Sequence, residues 1–150
     1  MTSEIKKQTI GMASDHAGYE LKEQLKPFLE ELGYDIRDFG AFSAESMDYA
    51  DTAHPLAEAV ENAKVDFGIA MCGSGNGISM TLNKHQGIRA ALCWIPEISA
   101  LAKQHNNANI LVMPARFIST ELAREIVTAY LNASFEGGRH QRRIDKIPCR

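Results

Sequence analysis

The stretch Phe67-Gly68-Ile69-Ala70-Met71-Cys72-Gly73-Ser74-Gly75-Asn76-Gly77-Ile78 joins a short apolar run to a turn with glycine at every second position. A run of that length, closed by a turn, fits a strand buried on both faces, and the glycines let the chain turn sharply out of it. Runs of the same kind recur outward from this one at residues 8–13, 35–39, 89–93 and 110–113, which makes five expected strands with 67–71 in the middle.

The segments between them carry the helical period. In 19–32, Leu21, Leu25, Phe28, Leu29 and Leu32 share one face, Gly33 closes the helix, and Pro27 predicts a kink inside it. A second helix is expected from Pro55 to about residue 62, and another near Ile78. A fourth opens at Pro96, and a last one runs over 120–132 with Thr120 as its N-cap. Strands that alternate with helices predict parallel neighbours joined by right-handed crossovers. The expected fold is therefore α/β: a three-layer, doubly wound, Rossmann-like five-stranded parallel sheet with helices on both faces, spanning 1–150 as one domain.

Composition excludes several classes of function. The formal net charge of -3 argues against a surface built for nucleic acid, and no apolar run approaches the roughly 18 residues of a membrane span. The stretch MTSEIKKQTIGM holds no apolar segment of signal-peptide length, and three cysteines cannot all pair within one chain. A reducing cytoplasm is the expected compartment.

In open α/β sheets ligands bind beyond the carboxyl ends of the strands, so the polar clusters there carry the functional reading. Ser14-Asp15-His16-Ala17-Gly18 follows the first strand, and Cys72 to Gly77 follows the third. His105-Asn106-Asn107 stands between the fourth helix and the fifth strand and is expected to converge with them. The glycine-rich turn can aim backbone N–H groups at an anion, but it matches neither the Walker nor the dinucleotide pattern. Cys72, at a strand end before that turn, is placed where a thiolate is favoured, to act as base or nucleophile; Cys93 reads as a buried structural cysteine and Cys149 as an exposed one. No cysteine or histidine spacing matches a metal site, so none is expected. His16, His105 and His140 lie in polar settings suited to proton exchange, whereas His54 and His85 read as surface residues. Arg116, Arg139 and Arg143 suit a phosphate, the last two sharing a face if 136–143 is helical.

Six motifs in order, Ser14-Asp15-His16-Ala17-Gly18, Cys72-Gly73-Ser74-Gly75-Asn76-Gly77-Ile78-Ser79, Asn83-Lys84, Gly87-Ile88-Arg89-Ala90, His105-Asn106-Asn107 and Glu136-Gly137-Gly138-Arg139-His140, make the chain resemble the type B ribose-5-phosphate isomerases over nearly its whole length. The resemblance implies a cofactor-free aldose–ketose isomerase that interconverts D-ribose 5-phosphate and D-ribulose 5-phosphate through an enediolate, in the pentose phosphate pathway. It implies Cys72 as the proton-moving base, His105 as the acid that opens the furanose ring, and Ser74 with Gly73, Gly75, Asn76 and Gly77 around the enediolate oxygens. Asp15, His16, Asn106, Arg116, Arg139 and Arg143 become the remaining substrate contacts. Some relatives carry Glu where Ile78 stands here and lack the cysteine; this chain keeps Cys72. The resemblance further implies a homodimer or a dimer of dimers, with sites shared between subunits and the basic segment 136–150 at the contact. A six-carbon substrate such as allose or galactose 6-phosphate, a Cys72-dependent hydrolase or transferase, and a non-catalytic phosphate-ligand sensor are the alternatives that the same residues allow.

Overall fold

The computed structural model describes residues 7–149. All five expected strands form, β1 (Thr9–Ser14), β2 (Asp35–Asp38), β3 (Phe67–Cys72), β4 (Ala90–Leu92) and β5 (Ile110–Pro114), and every neighbouring pair is parallel. Their spatial order is β2-β1-β3-β5-β4, so the chain passes from β3 to the edge strand β4 and then returns to insert β5 between them.

The six helices are α1 (Tyr19–Glu31), α2 (Ala50–Glu61), α3 (Asn76–Leu82), α4 (Pro96–Gln104), α5 (Thr120–Asn132) and α6 (Arg139–Ile144). Alternation along the central strands separates two cores. Ile10, Met12, Phe67, Ile69, Met71, Leu111 and Met113 face α1, α4 and α5. Ala13, Ala70, Cys72, Ile110 and Val112 face α2 and α3. β3 is buried at all six residues, as its unbroken apolar run requires of a central parallel strand.

Several helix boundaries differ from the sequence expectation. α1 runs through Pro27 without a break; Pro27 is exposed, and the carbonyl it leaves without an N–H donor belongs to the half-buried Glu23. α1 ends as expected at Gly33, whose φ of +101° lets Gly33 N–H reach Glu30 O at 3.0 Å and Tyr34 N–H reach Leu29 O at 3.2 Å. α2 begins at Ala50 rather than Pro55, because the Thr52 hydroxyl donates to Ser14 O at 2.8 Å and anchors an earlier turn to the end of β1. α3 begins at Asn76 rather than Ile78. The N-cap of α5 is Ser119, whose Oγ accepts from Leu122 N–H at 3.0 Å, while Thr120 donates instead to Gln24 Oε1 of α1 at 2.5 Å.

The polar anchor between β2 and α1 was not visible in the sequence. Lys22 is fully buried and holds Asp38 at 2.6 Å, and Lys26 reaches the same carboxylate at 3.0 Å. Asp38 Oδ1 in turn accepts from Gly40 N–H, which fixes the exit of β2 toward the loop that overhangs the end of β1.

Candidate active site

The connection from β1 passes over one face of the sheet and that from β3 over the other, which leaves a crevice at the carboxyl ends of these two strands. Cys72 stands at its centre. It is only 4% exposed, its Cα is paired with Pro114 of β5, and its carbonyl accepts from Ala115 N–H at 2.9 Å.

The turn after Cys72 is held from several sides. Gly73 O accepts from Arg116 N–H at 3.0 Å, and the Arg116 side chain lies 3.4 Å from where a Cβ on Gly73 would stand. Gly75 caps α3 at φ +79°, and any side chain there would collide with Leu92. Ser74 Oγ accepts from the Asn76 backbone N–H at 3.3 Å and from Asn76 Nδ2 at 3.2 Å; both residues are exposed.

Asp15 and His16 complete this edge. Asp15 is buried, and its Oδ1 accepts from Ala17 N–H (2.9 Å) and Gly18 N–H (3.1 Å), which turns the chain from β1 into α1. His16 Nδ1 accepts from Met47 N–H at 3.2 Å, leaving Nε2 as the protonated nitrogen and a donor toward an anion. Tyr49, at the start of α2, lies against Gly77 so closely that any side chain on Gly77 would overlap its ring. Sequence reading missed Tyr49; its signal was the bare glycine opposite it, which cannot be matched to a partner before the fold is known.

His105, Asn106, Arg139 and Arg143 do not join this cluster, which corrects the expectation that the polar segments converge within the chain. His105 caps the end of α4 and precedes β5, and in a parallel sheet the residues before a strand lie at its amino end. Asn107, at φ +45°, turns the chain there, and Arg89 clamps the turn by donating to Asn106 O at 3.2 Å and Asn107 O at 2.9 Å. Arg139 and Arg143 lie on α6 and so share a helical face, and Glu136 N–H ties the segment before it to Gln104 O at 2.9 Å.

At this amino edge the rings of His105 and His140 stack, with centroids 4.3 Å apart and 13° between planes. Glu136 Oε1 is 3.7 Å from His105 Nε2 and 3.6 Å from His140 Nε2. These three groups lie close enough to suggest a cation site. Imidazole lone pairs lie in the ring plane, however, and two nearly parallel planes offer no point where one ion could meet both. Elsewhere, burial pushes the Cys93 thiol up to about 12, in keeping with its reading as a structural cysteine. His54 and His85 bond to one another at 2.7 Å, with His85 also on Glu61 at 3.2 Å. Among the described residues no helix is long and apolar enough to cross a membrane.

This arrangement has close counterparts. Ribose-5-phosphate isomerase B of Escherichia coli is 44% identical over 138 residues, 92% of this chain and 93% of that protein. The crystal structure of a ribose 5-phosphate isomerase from Thermotoga maritima superposes with a TM-score of 0.92 at 49% identity, covering 94% of this chain and 97% of that one. Ribose-5-phosphate isomerase B from Mycoplasma genitalium, solved with bound ribulose-5-phosphate, gives a TM-score of 0.88 at 42% identity over 93% of both chains. The pattern of the ribose/galactose isomerases matches residues 10–147. With that span matched, and with the same fold in relatives above 40% identity, the chain belongs to the ribose/galactose isomerase family.

Proposed function

We propose that this protein interconverts D-ribose 5-phosphate and D-ribulose 5-phosphate, with Cys72 as the base. The observation that carries the reading is a thiol at the end of the central buried strand, set in the crevice between β1 and β3 beside a glycine turn whose N–H groups and Ser74 hydroxyl can meet substrate oxygens. The isomerisation exchanges hydrogen between adjacent carbons of one molecule, so no external oxidant or reductant enters the balance.

His105 gives a proton to the ring oxygen as the bond between C1 and that oxygen breaks, and the anomeric hydroxyl passes its own proton to water, leaving an aldehyde. Cys72 Sγ then takes the proton from C2. The enediolate that forms is held by Ser74 and the backbone of residues 73–77; the O2 hydroxyl proton passes to O1, and the thiol returns its proton to C1 to give the ketose. Arg116, His16, Arg139 and Arg143 hold the phosphate, Asp15 and Asn106 hold sugar hydroxyls, and Tyr49 closes the site over Gly77. Binding energy from the phosphate, remote from the reacting carbons, positions the sugar.

Because His105, Asn106, Arg139 and Arg143 stand at the opposite edge of the sheet from Cys72, each site takes them from a second copy of the chain. The assembly is a homodimer or a dimer of dimers, and the segment from Glu136 onward lies in the contact. Three free thiols fit a reducing cytoplasm.

The test is an isomerisation assay over a panel of five- and six-carbon aldose phosphates. Conversion of D-ribose 5-phosphate at the highest kcat/KM supports the assignment. Preference for allose or galactose 6-phosphate moves the substrate, and no turnover of any sugar refutes the enzyme reading.

A further inference from the structure

Glu136 and His140 have no part in that scheme, yet they are built around its ring-opening acid. His140 is 7% exposed, and its Nε2 is buried without a hydrogen-bond partner among the described residues. Its ring covers one face of His105, and the Glu136 carboxylate, four residues before it, stands beside both Nε2 atoms. The Glu136 backbone N–H donates to the carbonyl of Gln104, the residue next to His105, which sets this residue beside the pair.

Two imidazolium rings stacked face to face repel, and one carboxylate supports one of them. Burial, the facing His105, Arg139 and Arg143 together outweigh Glu136 and hold His140 below the ordinary imidazole range. Of the two rings, His105 is the more exposed and the one able to reach a ligand. Other charges near this edge include Lys103, on the last turn of α4, Arg89, already bound to the carbonyls of Asn106 and Asn107, and Arg142 and Asp145 at the end of α6.

We propose that Glu136 and His140 are positioning residues for His105, the carboxylate facing its Nε2 and the stacked imidazole fixing its ring plane. This rests on the reading of His105 as the ring-opening acid.

The experiment uses full-length Glu136→Gln, Glu136→Asp and His140→Phe, with His105→Asn as reference. The initial rate on D-ribose 5-phosphate is followed as enzyme concentration rises. An enzyme that cannot open the ring waits for spontaneous opening, so its rate levels off at a value independent of enzyme. His105→Asn should level off in this way. Glu136→Gln and His140→Phe should lose about tenfold or more, part of the roughly 10²–10⁴-fold that a positioned acid contributes, and level off as well. Glu136→Asp should restore most of the rate and its proportional rise. If both variants keep the proportional rise, the positioning role is overturned, because a loss of folded enzyme would not change that shape. If His105→Asn itself never levels off, the reading of His105 fails instead.

Discussion

Mixing Cys72→Ser chains with His105→Asn chains is expected to create activity well above that of either parent. Within one chain the two residues cannot serve one sugar. Cys72 is level with Pro114, and from there back to Ile110 the strand spans four residue steps, or ~13 Å at about 3.3 Å each, with His105 lying further back still. Proton transfer needs heavy atoms within roughly 3 Å, or one bridging water, while the ring oxygen and C2 of a pentose are close neighbours. In a two-fold pair the mixed dimer holds one site with both mutations and one site with neither. Random reassembly of equal amounts makes about half of the pairs mixed, so the expected recovery is about a quarter of wild-type activity. The assay is ketose formation from D-ribose 5-phosphate after denaturation and joint refolding, with differently tagged chains to prove that mixed pairs formed. Activity that stays at the level of the parents, with mixed pairs demonstrated, would mean that each site draws both residues from one chain, and the geometric argument would be wrong.

Cys72→Ser should fold and bind substrate but retain less than about a tenth of the wild-type rate, a loss above ~1.4 kcal/mol in the barrier, whereas Cys93→Ser keeps most activity; equal losses in steady-state kinetics would remove Cys72 from the mechanism. Lys22→Met leaves the Asp38 carboxylate with Lys26 alone and should cost about 3 kcal/mol by urea denaturation at neutral pH. Burial alone would push the Asp38 carboxyl up, but Lys22, Gly40 N–H and Lys26 overcome it and hold it below the usual carboxylate range. Its contribution is thus complete above the unfolded value of about 3.9 and is lost as pH falls through the folded one, so the deficit of Lys22→Met should shrink in acid, and a deficit independent of pH would refute the pairing. Gly75→Ala puts a Cβ at positive φ against Leu92, and should lower Tm and raise KM; a wild-type KM would show that the turn is not read by the substrate.

How far the sequence carries can be judged from particular elements. β3 was legible because a short apolar run before glycines has few other uses, and with it came the placing of Cys72 at a strand end. The edge strand β4 proved shorter than its run, since strand ends depend on which neighbour remains to pair with. The start of α2 was illegible because a hydroxyl bonded to Ser14 O, 38 residues away, decides it. Glu136 and His140 stood in view within a recognised motif, but stacking against His105 joins segments that only packing brings together.

Periodicity and glycine placement by themselves determined the α/β alternation, the parallel sheet and the thiol at its carboxyl edge, because each depends on residues near in sequence. Only the tertiary structure decided that β5 inserts between β3 and β4 and that His105 and the arginines of α6 lie at the far edge. A fully buried strand carries the same apolar pattern whichever neighbours it has, so its place in the sheet, and with it the splitting of the site across two edges, is set by long-range packing.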